Sequence, residues 1–465
     1  MDKLSAPRAL FPVVNTRDLY VRQAYKDLYD EVSLKFQDSP GNSPENWTRK
    51  HVVVTGTSGI GKSAFLVYFT IRLLTTGSDD DPSIVVFQEE GSSNCYAYGG
   101  LSTVRYGDIE DFRPFLDLPE TWYLVDSSPN PRLENARTII SASPKTLFSE
   151  WNQYQEVDKR VPWRYYMAPW TLDELKHCRH SVKGFHIVPE DIVEELYGKI
   201  GGVPRYVLEK PKDVLNFDPS GTDDAKKNAM MQCFEQGKES LRHSSRLLHR
   251  WPTDDHGDFH LEWASAYIAD EIGKSLQDVA WQQILDKLVG VNVGAAKGPM
   301  FKLYVRHIFR KGGYDFQIRD LRDKTDATLN IPANPDTVLF KEISAVPLGT
   351  LCIPQNCNYA CVDLLLSPKH LFQVTVSKNH DIKGPPFVKL LEDFKINGWV
   401  QSSGEAHLVF VVPSKIYDDF PIQNYLKSTG GVYTRIPPQM KQFVLKIDLD
   451  SASTGKSPGL RGQAY

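Results

Sequence analysis

The chain is short of cysteine, of long apolar runs and of net charge, and each shortage excludes a class of protein. Six cysteines in 465 residues (Cys95, Cys178, Cys233, Cys352, Cys357 and Cys361), none arranged as CxxC, are too few to staple a secreted scaffold. They read as reduced thiols. The spacing of Cys352, Cys357 and Cys361, without a partner pair or CxxH, favours small buried hydrophobes over zinc ligands. No stretch approaches the roughly 20 apolar residues of a membrane span. The opening MDKLSAPRALFPVV lacks the basic flank and apolar run of a signal peptide. A soluble intracellular chain with no membrane partner is therefore expected. With Lys+Arg 54 against Asp+Glu 58 the net charge is -4, so any polyanion site has to be a local patch. Fixed-period repeats and long low-complexity runs are missing too. What remains is ordinary globular usage, 41% hydrophobic and 24% charged, in a chain long enough for roughly two to four domains.

Periodicity and punctuation divide it into five stretches. Residues 1–48 are an N-terminal segment with a helix over 21–36, where Ala24, Leu28, Val32 and Phe36 recur at helical spacing. Residues 49–210 alternate β-branched runs with helical stretches, the pattern of an α/β domain with a mostly parallel sheet. Residues 211–293 are polar and helical in period, a connector or lid. Residues 294–452 form a second α/β unit: a helix over 299–310 followed by strands around 314–318, 360–366, 371–376 and 407–412. Residues 453–465 have almost no apolar content and are predicted to be a disordered tail.

The sharpest signal is HVVVTGTSGIGKSAFLVYF, a strand over 52–55 running into GxxxxGKS and an amphipathic helix. Gly56, Thr57, Ser58, Gly59, Ile60, Gly61, Lys62, Ser63 and Ala64 have the composition of a phosphate cradle. Glycines let successive backbone N–H groups turn toward the phosphates, and the helix N-terminus adds positive potential. Lys62 is expected to reach the β/γ-phosphates of ATP, and Ser63 the Mg²⁺. The strand Trp122-Tyr123-Leu124-Val125-Asp126 ends in a carboxylate placed to orient the water shell of that Mg²⁺. The next residue is Ser127, not the acid many ATPases use to polarise the attacking water, so turnover is expected to be slow. A third strand, over 138–141, brings Ser141 as a polar γ-phosphate sensor or a plain strand end. Gly201-Gly202-Val203-Pro204-Arg205 presents one arginine, Arg205, as a phosphate contact or a surface residue beside a turn. No NKxD-type base reader is evident, so the base stays open.

GTSGIGKS, YLVD, the run at 165–175 (YYMAPWTLDEL), GGVPRYVLE, and downstream residues 301–321 and 362–382 together resemble the Crinkler effectors and the related retrotransposon hot spot proteins. The likeness covers roughly residues 45–450. It implies a P-loop NTPase fused to a PD-(D/E)xK-like, restriction-endonuclease-like domain. It also implies proteins that are delivered into host cells, act in the host nucleus, meet host proteins and provoke cell death.

In the second α/β unit, VDLLLSPKHLFQVTVSKNH reads as two strands joined by a tight turn. Asp363 stands on the first, and Gln373 and Thr375 share a face of the second. A restriction-type nuclease needs an Asp on one strand and an acid-x-Lys on the next, because carboxylates hold Mg²⁺ while the lysine sits by the attacking water. Asp363 fits as the metal ligand, but Gln373-Val374-Thr375 replaces acid-x-Lys, leaving Lys378 or His380 to supply a basic group. The glutamate the superfamily places after a helical Phe is also missing, since Phe301 is followed by Lys302. The stretch 297–324 holds eight cations (Lys297, Lys302, Arg306, Arg310, Lys311, Arg319, Arg322 and Lys324) against three Asp. Lys302, Arg306 and Arg310 share one helical face, which suits duplex DNA phosphates or a merely solvated surface. An active nuclease, a non-cleaving nucleic-acid binder and a partner-docking domain all remain open, as does a homo-oligomer.

Overall fold

The computed structural model describes residues 3–6, 11, 14, 16–37, 51–76, 82–100, 103–128, 131–143, 154–209, 247–276, 278–289, 297–340, 349–354, 362–367, 369–396, 406–427, 431–435, 440–449 and 460–461. These fall into two compact units, the first running to His260 and the second from Leu261.

Unit 1 opens with a hairpin, β1 (Lys3–Ser5) and β2 (Asp18–Tyr20), and a helix, α1 (Gln23–Gln37). The apolar stripe of α1, Tyr25, Leu28, Val32 and Phe36, is buried, as helical spacing requires of a surface helix. The chain then runs through β3 (His51–Gly56), α2 (Lys62–Thr76), β4 (Ile84–Gln88), β5 (Asn94–Gly99), β6 (Thr103–Asp108), β7 (Trp122–Asp126), β8 (Arg137–Ser141) and β9 (Trp163–Met167). These strands form a seven-stranded sheet in the order β6-β5-β4-β7-β8-β3-β9. From β4 to β9 every neighbouring pair is parallel, while β5 and β6 add an antiparallel edge. Strands β3 and β7 are buried along their whole length, which is why their centres, Val52–Val54 and Trp122–Val125, read as apolar runs rather than alternating ones. Because β3, β7 and β8 are parallel, their C-terminal residues Gly56, Asp126 and Ser141 end at one edge of the sheet, where open α/β sheets bind ligands. Helices α3 (Leu172–Ser181) and α4 (Glu190–Ile200) follow. The first is started by a reciprocal capping box between Thr171 and Glu174. A short π-helical turn, Arg205–Glu209, comes next, and β10 (Leu248–Pro252) lies against β3 and β9.

The boundary between the units falls within β11 (Phe259–Trp263). Unit 2 continues with α5 (Ala266–Ser275), α6 (Asp278–Val289) and α7 (Lys297–Lys311). Its strands are β12 (Tyr314–Asp320), β13 (Asp326–Ile331), β14 (Thr337–Phe340), β15 (Leu351–Pro354), β16 (Leu364–Leu366) and β17 (His370–Val374). After β18 (Ile382–Lys383) and α8 (Gly384–Ile396) come β19 (Ala406–Pro413), β20 (Tyr425–Leu426), β21 (Met440–Ile447) and β22 (Leu460–Arg461). The main sheet is mixed, in the order β13-β12-β21-β19-β17-β16-β15-β14 with β22 beside β12, and β18 pairs separately with β20. Helix α7 is packed on nearly all sides. Met300, Phe301, Leu303, Tyr304, Val305, Ile308 and Phe309 are all buried, and Phe309 stacks edge-on against Phe372 of β17 at 5.0 Å. Full burial of each such aromatic contributes about 1.5–3 kcal/mol.

Two expectations change. No separate helical connector spans 211–293 among the described residues: residues 210–246 lie outside them, β10 joins unit 1, and α5 and α6 join unit 2. The tail expected to be unstructured supplies Leu460 and Arg461 to the sheet, paired with Asp315 and Tyr314; its other residues lie outside the described ones.

Candidate functional site

The loop between β3 and α2 is shaped by neighbours that leave no room for side chains. Gly56 has φ +139°, and a Cβ there would lie 2.5 Å from the Met167 carbonyl of β9. Gly61 has φ +95°, and a Cβ there would lie 2.2 Å from the Tyr25 hydroxyl. That hydroxyl donates to the Gly61 carbonyl at 2.8 Å, and the Trp170 indole donates to the Ile60 carbonyl at 2.8 Å. Trp170 is itself covered by the buried Arg22, whose guanidinium lies 4.9 Å from the ring and forms a two-point pair with Glu174. Side chains from α1 and from the segment just before α3 thus pin the two carbonyls just before Lys62.

At the first position of α2, Lys62 is buried and donates to the Gly56 and Thr57 carbonyls at 3.3 and 3.0 Å. Burial, then Arg205 and Arg250, push its pKa down to about 7; Asp126 and Glu90 oppose this only partly. Ser63, one residue on, donates to Oδ1 of Asp126 at 2.9 Å. Ser141 sits directly across from Asp126 in the β7–β8 register and donates to the same oxygen at 2.7 Å. Asp126 is fully buried, and its Oδ2 has no hydrogen-bond partner among the described residues. An orphaned carboxylate oxygen beside a helix-start hydroxyl is a donor set that suits a hard, hydrated cation. Ile60 and Thr57 are buried, and Ser58 and Ala64 are partly exposed at the loop's mouth.

Arg205 covers the loop from outside. Its N–H approaches the Gly59 carbonyl at 3.5 Å, and a Cβ on Gly59 would lie 3.0 Å from the Arg205 Cβ. Arg250, on β10, was not singled out by sequence; its backbone N–H donates to the Thr57 hydroxyl at 2.9 Å. Its signal was weak, because it lies in a stretch whose polar, helical period conceals a short strand. Tyr25 was likewise missed, and only its place on the apolar stripe of α1 hinted at burial.

In unit 2 the structure separates residues that the sequence grouped. Asp363 immediately precedes β16. Its Oδ2 accepts from the Val374 N–H at 2.7 Å, and its Oδ1 pairs with Lys302 at 3.1 Å. Lys302 also donates to Glu262 of β11 at 2.8 Å. Burial pulls the Lys302 pKa down, but the Asp363 and Glu262 carboxylates more than reverse this and raise it above the usual lysine range. Gln373 is turned to His380, with the amide nitrogen 2.9 Å from Nε2 of the ring. Lys378 is half-exposed and pairs with Asp419 at 3.0 Å. Neither Lys378 nor His380 supplies the cation beside Asp363, contrary to expectation; Lys302 does, the residue noted only for standing where a glutamate was missing.

The cationic stripe of α7 is also corrected. Lys302 is committed to Glu262 and Asp363, Arg310 pairs with Asp270, and Arg306 is 6% exposed. The face shared by these three residues points inward, not toward a phosphate backbone. Of the remaining cations, Arg319 pairs with Asp326 and Asp418, while Lys311, Arg322 and Lys324 are exposed and Lys297 is partly so.

Among the described residues, no group of three or more His, Cys, Asp or Glu could hold a metal ion, and no helix is long and apolar enough to cross a membrane. Cys95, Cys178 and Cys352 are buried free thiols; Cys233, Cys357 and Cys361 lie outside the described residues.

No family model matches the chain. It is similar to Crinkler effector protein 16 of Phytophthora infestans, 24% identical over 405 residues covering 81% of this chain. It is also similar to Crinkler effector protein 15 of the same organism, 23% identical over 403 residues. The chain spans 61% of the length of these curated relatives. Among solved structures, the Thermotoga maritima RuvB Holliday junction branch migration motor aligns over 50% of this chain and 90% of its own, at 12% identity and a TM-score of 0.27. A single-residue variant of the same RuvB aligns over the same shares at 12% identity and a TM-score of 0.28.

Proposed function

We propose that the chain is a Crinkler-like effector whose first unit binds and slowly hydrolyses ATP with Mg²⁺, and whose second unit serves interaction rather than cutting. The observation that carries the first half is the junction of Ser63, Ser141 and Asp126, which leaves one buried carboxylate oxygen unpartnered among the described residues beside the loop. In this reading Lys62 exchanges the Gly56 and Thr57 carbonyls for the β/γ-phosphates, and the backbone N–H groups of 57–64 line the polyphosphate. Ser63 and Asp126 hold the Mg²⁺, which neutralises phosphate charge when bound. Ser141 keeps Asp126 oriented, and Arg205 offers charge from above the loop. Ser127, at φ +48°, follows Asp126 where other ATPases carry a water-polarising acid, so long-lived nucleotide occupancy, the property of a switch, is expected.

The second half is supported by the inward stripe on α7 and by the engagement of both Asp363 oxygens. Metal-dependent DNA cleavage at Asp363, with Gln373, Lys378 or His380 assisting, is the rival reading. Delivery into host cells, action in the host nucleus and cell death belong to the proposal through the Crinkler likeness.

Phosphate release from ATP and plasmid nicking with Mg²⁺ or Mn²⁺, measured on wild type, Lys62→Ala, Asp126→Asn and Asp363→Ala, test both halves. Release is expected from wild type and Asp363→Ala only, with nicking from none. Release that survives Lys62→Ala overturns the first half; wild-type nicking lost in Asp363→Ala overturns the second.

A further inference from the structure

Glu262, Lys302 and Asp363 come from three distant places in the sequence, β11, the second turn of α7 and the residue before β16, yet they meet at one point inside unit 2. The side chains are 9%, 13% and 5% exposed. Two carboxylates this deeply buried repel one another unless a cation stands between them, and the Nζ of Lys302 does so, 2.8 Å from Glu262 and 3.1 Å from Asp363. The restriction-endonuclease likeness implies a divalent metal at Asp363. The residues present do not fit one. Oδ1 of Asp363 is held by the ammonium and Oδ2 by the Val374 N–H. The neighbouring Gln373 amide faces His380, and no third acid joins the cluster among the described residues. A hard divalent ion needs about six oxygen ligands at roughly 2.0–2.6 Å, and the position that both carboxylates face is taken.

We propose that the Lys302 ammonium is the built-in cation of unit 2, holding the place a divalent metal would take between Glu262 and Asp363, and that reversing its charge turns the cluster into a divalent-cation site. Unit 2 then keeps its fold without metal. This deepens the interaction reading of unit 2 and is independent of the ATPase reading of unit 1.

The test is Mn²⁺ alone, without nucleotide, added to the full chain as wild type, Lys302→Glu, and each combined with Asp363→Asn. Bound Mn²⁺ is counted by electron paramagnetic resonance, and the melting temperature is followed in parallel. Wild type is expected to show no Mn²⁺ binding that depends on Asp363. Lys302→Glu is expected to bind one Mn²⁺ more than wild type, to melt several degrees higher with saturating Mn²⁺ than without it, and to lose both gains with Asp363→Asn. Wild-type Mn²⁺ binding that Asp363→Asn abolishes overturns the proposal, as does a folded Lys302→Glu that binds no additional ion. If Lys302→Glu does not fold even with Mn²⁺, Lys302→Met, with two carboxylates and no cation, is read by the same criteria; if neither folds, the wild-type comparison decides. DNA nicking without Asp363-dependent Mn²⁺ binding would overturn the interaction reading while leaving Lys302 as the cation, so the two failures are distinguishable.

Discussion

Nucleotide binding to unit 1 is expected to take up a proton. Lys62 is buried with, among the described residues, only two loop carbonyls as acceptors, and burial, Arg205 and Arg250 together hold its pKa down to about 7. A polyphosphate at the loop brings negative charge to Nζ and restores the charged form. At pH 8 about a tenth of free molecules carry this proton, so binding should take up roughly 0.9 proton, against roughly 0.5 at pH 7. Affinity therefore falls as pH rises above 7, by at most about tenfold per unit, until the pKa of the bound state is reached. The same shift acts on stability. An unfolded lysine keeps its ordinary pKa near 10.4, so the unfolded chain holds more protons between about 7 and 10. Nucleotide-free stability rises with pH across that window. Calorimetry of Mg²⁺-ATP binding at pH 8, in two buffers of different ionisation heat, measures the uptake directly. At that pH the nucleotide phosphates are already ionised and contribute little. Lys62→Met should lose the linkage along with most of the affinity. Wild-type binding with proton uptake near zero at pH 8 would refute the buried, half-discharged lysine.

Other consequences concern the loop and the surface. Gly61→Ala sets a side chain at φ +95° against the Tyr25 hydroxyl and should cost about 1–3 kcal/mol of unfolding free energy, read by denaturant titration, together with measurable nucleotide binding. Tyr25→Phe removes only the hydrogen bond to Gly61; it should cost about 1 kcal/mol and leave nucleotide affinity within several-fold. Arg250→Ala removes one of two cations that depress Lys62, so the pH at which ATP affinity begins to fall should move upward; an unmoved profile would place Arg250 away from the phosphate site. If unit 2 meets duplex DNA at all, neutralising Lys311, Arg322 and Lys324 should flatten the log-affinity against log-salt slope by about 0.9 per lost phosphate contact. Arg310→Gln, which touches Asp270 instead, should lower the melting temperature and leave that slope unchanged.

The loop proposed to cradle phosphate was legible in the sequence because its determinants are local. A strand, a glycine turn and a helix start adjoin one another, so their spacing can be read without any tertiary contact, and the structure has β3, Gly56 and α2 in that order. Strand β7 was equally legible, since a parallel strand covered on both faces is apolar along its length, which made the terminal Asp126 stand out. The sequence also established that Lys302, Arg306 and Arg310 share a face, because the helical period relates residues four apart. It could not say where that face points. On α7 the apolar residues cover so much of the circumference that the helix is buried almost all round, so Lys302 and Arg310 pair with acids inside unit 2 and Arg306 is buried rather than turned outward. Tertiary structure alone decided that Glu262 would meet Lys302 forty positions away, that Ser141 would register against Asp126, and that Tyr25 and Arg250 would close on the loop. Each of these contacts joins segments with no common local period, and only the packing of the sheets and helices brings them within reach of one another.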